Sequence, residues 1–226
     1  MTDEAVTGTD WAPPLVAVPD EQGVDRAVRA ARRVVEGLVR NGRDSDAAMD
    51  AVAEELERLA DHLEEHAPPL AERVAAMWSL GGLEMTRHDP VTGPENALAP
   101  PLVVEGRSAQ EVSGHVVLGL AYQGPPGHAH GGVTAQLLDH VLGMANHWAG
   151  TAGMTARLAV RYRRRTPLFV PLEVRARQVS VDGRRIVTTG EVVGPDGEVC
   201  VSAEGHFIAV DVNGTAGDTV RALAEN

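Results

Sequence analysis

Between residues 127 and 139 the chain reads Gly127-His128-Ala129-His130-Gly131-Gly132-Val133-Thr134-Ala135-Gln136-Leu137-Leu138-Asp139. Glycines directly before a helix let a ligand come close to the backbone. The free N–H groups of a first helical turn point outward, and the helix dipole favours negative charge there. Such a terminus can polarise a carbonyl and hold the oxyanion formed on attack. An ordinary loop-to-helix junction would read the same way. Asp139 falls in the middle of the helix that follows. Leu137, Leu138, Val141 and Leu142 around it are apolar, whereas Gln136, Asp139, His140, Gly143 and His147 share one face. That face is either a solvated stripe or a cleft wall carrying a carboxylate. In the second case Asp139 acts as general base on water or as nucleophile.

Other chemistry-bearing residues are scattered. His128 and His130 form an H-x-H pair with no third metal ligand evident. Arg161, Arg163, Arg164 and Arg165 form a basic run, read either as a solvated strand end or as a clamp for phosphates. Cys200 is the only cysteine, in a strand-like run from Glu198 to Val210, which suits a buried structural thiol. His115, His140, His147 and His206 have no nameable partner.

Positioning these groups requires a helix from Gly131 to Trp148 and a set of strands. Glu111 to Leu120 reads as a strand, and Gly124-Pro125-Pro126-Gly127 as a turn. After the helix come four strand-like runs: Met154 to Arg163, Leu172 to Val181, Arg184 to Val193 and Glu198 to Val210. Asp182-Gly183 and Pro195-Asp196-Gly197 separate the last three, and Asp-Gly pairs of this kind signal hairpins. One long helix on an antiparallel meander is an α+β layer solution.

Upstream, Val24, Ala27, Val28, Ala31, Val34, Val35 and Leu38 recur at helical spacing, with Asn41-Gly42 as a stop. Met49, Val52, Ala53, Leu56, Leu59, Ala60 and Leu63 form a second stripe, capped at Asp44, Ser45 or Asp46 and ended by Pro68-Pro69. The two helices read as an antiparallel hairpin that must bury its apolar stripes. A short helical segment, about Leu70 to Leu80, follows. The expected organisation is a flexible tail over residues 1–20, a helical extension over 21–85, a linker over 86–107, the α+β domain over 108–212 and a C-terminal tail over 213–226.

His130-Gly131-Gly132 followed by Asp139 resembles the HGG…D signature of hotdog-fold acyl-CoA thioesterases of the phenylacetic-acid-pathway (PaaI-type) group. Gly127, Leu138-Asp139 and Thr155, within Gly153-Met154-Thr155-Ala156, are similar to the rest of that pattern. The run Arg161-Tyr162-Arg163-Arg164-Arg165-Thr166-Pro167-Leu168 is similar to the family's strand and Pro-Leu turn. The resemblance covers about residues 108–210 and implies a hotdog domain hydrolysing the thioester of an acyl-CoA without metal or redox cofactor. It implies that the Gly131 or Gly132 N–H polarises the carbonyl and that His130 positions the loop. Asp139 then activates water or attacks, and Thr155 orients the water or the carboxylate. Arg161, Arg163, Arg164 and Arg165 become candidates for the coenzyme A phosphates. Many members carry Asn six residues before the HGG histidine, where this chain has Gly124.

Geometry adds one expectation. Asp139 lies seven residues beyond Gly132, roughly 10 Å along a helix axis, too far for both to reach one carbon. Antiparallel helices across a two-fold axis would bring HGG of one subunit to Asp139 of the other, so a homodimer or dimer of dimers with an interfacial site is expected.

Composition narrows the field. The net charge of −12 is uneven: residues 1–106 hold 21 acids against 9 arginines, and residues 107–226 hold 11 of each. An acidic N-terminal half argues against nucleic acid as partner. No apolar run approaches the length of a membrane span, and Met1-Thr2-Asp3-Glu4 lacks a signal-peptide pattern, so the cytoplasm is the expected location. A non-catalytic acyl-CoA-binding or regulatory hotdog protein is the main rival; a hotdog hydratase or dehydratase matches HGG…D less well.

Overall fold

The computed structural model describes residues 15–42, 46–79, 86–100 and 102–209. Three helices come first: α1 (Gly23–Asn41), α2 (Asp46–His66) and α3 (Leu70–Ser79). Two strands follow, β1 (Val103–Ser108) and β2 (Glu111–Val117), then a single 3-10 turn, Leu120–Tyr122. The long helix α4 spans Gly131–Trp148, and β3 (Gly153–Tyr162), β4 (Pro171–Asp182), β5 (Arg185–Val193) and β6 (Val199–Ala209) complete the described residues.

The strands form one antiparallel sheet in the order β1-β2-β4-β5-β6-β3. The β4–β5 and β5–β6 hairpins turn at the expected Asp-Gly pairs. Gly183 and Gly197 there take φ of 56° and 79°, values that favour glycine. Leu137, Leu138, Val141, Leu142 and Ala145 of α4 are fully buried against Leu172 and Val174 of β4, Ile186 and Val192 of β5 and Phe207 of β6. Close approach of the helix depends on two small strand residues. A Cβ at Gly190 or Gly205 would stand 3.1 Å from a Leu142 methyl, and the one at Gly205 only 2.5 Å from Phe207 Cε2. A buried polar knot fixes the helix end: Asn146 Oδ1 accepts from Thr188 Oγ1 at 2.5 Å and Gln178 Nε2 at 3.1 Å. A long helix wrapped by an antiparallel sheet is the hotdog arrangement expected from the sequence.

The first hundred residues depart from expectation in three ways. Residues 15–17 are not tail: the Leu15 N–H donates to Val104 O, the Ala17 N–H to Thr86 Oγ1, and Val16 is buried in the core. The expected linker is not a linker, since it holds β1 and buries Val91, Ala99, Leu102 and Val104. The tail residues 1–14 and 213–226, with Asp44, Ser45 and Leu80, lie outside the described residues.

Third, α1 does not dock by its apolar stripe. Val24, Val34, Val35, Leu38 and Val39 are exposed, as are Leu59 and Leu63 of α2. A polar stripe at helical spacing docks instead. Asp25, 1% exposed, pairs with Arg87 at 2.5 Å. Arg32 donates to the Gly93 and Asn96 carbonyls, and Glu36 accepts from the Leu120 and Ala121 N–H groups. Burial opposes ionisation of Asp25, but the Asp20 N–H and the Arg87 guanidinium outweigh it and hold the carboxyl below its ordinary value. α1 stops where expected, with Gly42 at φ 57° donating its N–H to Leu38 O.

Candidate active site

The Gly124–His130 loop is built by hydrogen bonds on both flanks. Gly124 N–H donates to His128 O, and Ala129 N–H to Thr166 O in the β3–β4 connection. Leu168 N–H donates back to Gly127 O, and His130 N–H to Tyr122 O. The Pro-Leu turn is thus the second wall of this loop. Gly124 stands against the His130 backbone: a Cβ there would lie 2.8 Å from His130 Cα. That contact leaves no room for a side chain at Gly124 as the loop stands.

His130 is the N-cap of α4, and its Nδ1 accepts the Gly132 N–H at 3.0 Å. An N–H can only donate, so Nδ1 carries no proton in this arrangement. The two glycines therefore differ. Gly132 spends its N–H on the cap, whereas no group among the described residues takes the Gly131 N–H at the head of the helix dipole. Gly131 O accepts from Thr134 Oγ1 at 2.9 Å and from Tyr162 Oη at 3.0 Å. The Tyr162 ring also lies so close that a Cβ at Gly131 would stand 3.2 Å from it. Tyr162 thus backs the glycine, a role that sequence reasoning missed; an aromatic residue inside the Arg161–Leu168 run was its only signal.

Asp139 and Thr155 meet, with Thr155 Oγ1 donating to Asp139 Oδ1 at 2.9 Å. The register of β3 against β6 shifts between Thr155 and Arg157. Such a bulge re-aims side chains next to it. Asp139 is half-buried, and Gln136 and His147 on its face are exposed. Next to it, His140 lies under the 89–92 loop, with Nδ1 3.5 Å from Asp89 Oδ2 and Nε2 3.4 Å from Thr92 Oγ1. Burial pushes the His140 imidazole below its ordinary value, against the opposing pull of Asp89 and Asp139.

The four arginines do not converge. Arg161 and Arg163 line a trough of ≈ 860 Å³ on the sheet face away from α4, beside Arg175, Glu191 and Glu204. Neither the HGG loop nor Asp139 lines it, so this trough is not the site around HGG. Arg163 Nε donates to Ser202 Oγ. Arg164 is committed to Asp196 at 2.8 Å, and Arg165 is exposed beside Thr166. His128 and His130 face different partners: His128 Nδ1 lies 2.8 Å from Pro126 O, while His130 Nδ1 serves the cap. Cys200 is buried as expected, and burial pushes its thiol up, away from a reactive thiolate. Among the described residues no helix is long and apolar enough to cross a membrane.

A long-helix hotdog with HGG at the helix head and an Asp–Thr pair along it defines a class, and the comparisons agree. The thioesterase superfamily model matches residues 126–201. The crystal structure of RHA08564, a thioesterase superfamily protein, is 58% identical, spans 88% of this chain and 96% of its own, and superposes with a TM-score of 0.79. The chain belongs to the thioesterase superfamily. Residues 15–72 match a second family, described as hypothetical protein RHA1_ro05818, N-terminal helical domain. Acyl-coenzyme A thioesterase THEM4 of Rattus norvegicus is 31% identical over 94 residues, 41% of this chain and 40% of that protein. The Bos taurus THEM4 is 33% identical over 90 residues, 39% and 37% respectively. The chain thus spans about two fifths of the length of these relatives.

Proposed function

We propose that this protein hydrolyses an acyl-CoA to the free acid and coenzyme A. The observation that carries the reading is the division of labour at the head of α4: His130 caps Gly132 and leaves the Gly131 N–H for a ligand. The thioester carbonyl oxygen accepts that N–H. Water adds to the carbonyl carbon as the Asp139 carboxylate takes its proton. Charge moves to the oxygen, where the Gly131 N–H and the helix dipole stabilise it. Collapse breaks the C–S bond and releases the coenzyme A thiolate, which receives the proton. Thr155 holds Asp139 Oδ1 and leaves Oδ2 for the water. Gly131 and Asp139 lie about 12 Å apart along one helix, so each site takes HGG from one subunit and Asp139 from the partner, in a homodimer or dimer of dimers. The acyl-coenzyme A thioesterase names of the THEM4 relatives and the PaaI-type signature support this substrate class.

The test is release of free thiol over a panel of short, long and aromatic acyl-CoAs. Turnover of at least one supports the proposal. Binding without release by any of them overturns it in favour of a non-catalytic acyl-CoA-binding protein.

A further inference from the structure

The docking of α1 reaches the HGG loop through a continuous set of hydrogen bonds. Glu36 lies about one and a half turns from the C-terminus of α1, on the stripe that also carries Asp25 and Arg32. Its carboxylate accepts from Leu120 N at 2.9 Å and Ala121 N at 3.2 Å. These are the first N–H groups of the 3-10 turn, which has no side-chain cap of its own. The fit is close: a Cβ at Gly119 would stand 2.7 Å from Glu36 Oε2. At the far end of the turn, Tyr122 O accepts the His130 N–H at 2.9 Å, and Tyr122 Oη donates to Leu98 O at 3.2 Å. Arg32 of α1 holds that same 93–98 segment by the Gly93 and Asn96 carbonyls. Both supports of Tyr122 thus lead back to α1.

We infer that α1 is a positioning element of the active site, with Glu36 setting the 3-10 turn and, through Tyr122 O, the peptide that aims the Gly131 N–H. The inference rests on the thioesterase reading for its catalytic consequence but not for its structural one. The His130–Gly131 peptide carries the proposed oxyanion donor, and its orientation follows the His130 N–H that Tyr122 holds. The polar character of the docking fits this role. Directed hydrogen bonds fix a register, whereas an apolar stripe adheres without one. A carboxylate is well suited, because its two oxygens take two adjacent N–H groups together.

The experiment compares the full chain with Glu36→Ala and Glu36→Gln. Amide exchange of His130 and Gly132 is followed by NMR, and thiol release from the best acyl-CoA by steady-state kinetics. Misplacement of a reacting group by about 1 Å costs up to about 100-fold, and a loosened turn should cost part of that. Glu36→Ala is expected to speed exchange at His130 at least about tenfold while β4 and β5 amides keep their protection. It should lower kcat about tenfold with KM within about twofold. Glu36→Gln keeps one acceptor oxygen and should recover part of the kcat. Unchanged His130 exchange in Glu36→Ala overturns the inference. So does a loss of protection spread over β4 and β5, since Glu36 would then only hold the fold. A wild-type chain that releases no thiol sinks the thioesterase reading alone, and the exchange data still decide the coupling.

Discussion

Replacing Thr155 with Val removes one hydroxyl and nearly nothing else. Thr155 is exposed on β3, and Val keeps its shape and β-branching, so no packing is lost. What disappears is the 2.9 Å hydrogen bond to Asp139 Oδ1. Hydrogen bonds to charged groups contribute about 1.5–3 kcal/mol when well shielded. Thr155 is solvent-exposed and Asp139 half-buried, which places this one at or below the lower end, about 1–1.5 kcal/mol. If it holds the carboxylate in its working orientation, the loss falls on the chemical step, and 1.36 kcal/mol corresponds to about tenfold in rate. Thr155→Val is therefore expected to lower kcat about five- to tenfold, with KM nearly unchanged and the thermal midpoint lowered by no more than about 6 °C. Thr155→Ser keeps the hydroxyl and should retain most of the activity. Thiol release under saturating acyl-CoA reads both variants. Wild-type kcat in Thr155→Val, or Thr155→Ser falling as far as the Val variant, would refute the orientation argument.

Three further outcomes follow from the same structure. Arg87→Met strands the Asp25 carboxylate, 1% exposed, without its cation. Breaking a buried pair from one side costs roughly 3 kcal/mol, so the urea midpoint should drop and recover only in part in Asp25→Asn/Arg87→Met, because Glu95 also loses its 2.6 Å bond to Arg87 Nε; an unshifted single variant would refute the pairing. His140 binds its proton more weakly folded than unfolded, because burial depresses it from 6.5. Its contribution is complete above that value and is lost as pH falls from about 6.5 towards the folded value, because the unfolded chain then binds more protons. His140→Gln should flatten that part of the stability–pH curve, and an identical slope in both proteins would show that another group titrates there. Arg161→Ala/Arg163→Ala should leave the KM for acyl-CoA near wild type, since both residues line the trough that the HGG loop does not reach; a large rise in KM would return them to the coenzyme A site.

The parts of the molecule legible from sequence are those whose signals are local. The stripe Leu137, Leu138, Val141, Leu142 marks α4, the Asp-Gly pairs mark the β4–β5 and β5–β6 turns, and HGG with Asp139 and Thr155 marks the proposed site. What stayed hidden depends on partners far along the chain. β1 is six residues long and follows Pro100-Pro101, so nothing in Val103–Ser108 announces a strand until β2 pairs with it. Val16 looks like any valine in a proline-rich stretch until Val104 receives the Leu15 N–H. The apolar periodicity of α1 correctly gives a helix but points to the wrong face. Asp25, Arg32 and Glu36 read as solvated charges until Arg87, Gly93 and Leu120 are seen opposite them. Tyr162 supports Gly131 across 31 residues of sequence, a pairing that no periodicity encodes.

The central claim is that Asp139 performs the chemistry on an acyl-CoA bound at the head of α4. Its most direct test is thiol release by the wild-type chain and by Asp139→Asn, with acyl-CoA binding measured on both by calorimetry. Asn preserves size and one acceptor oxygen for Thr155 but takes no proton from water. A general base typically contributes about 10²–10⁴-fold. The account predicts a loss of that order in kcat, with affinity for the acyl-CoA and the thermal midpoint both close to wild type. Turnover by Asp139→Asn within a few-fold of wild type would contradict it.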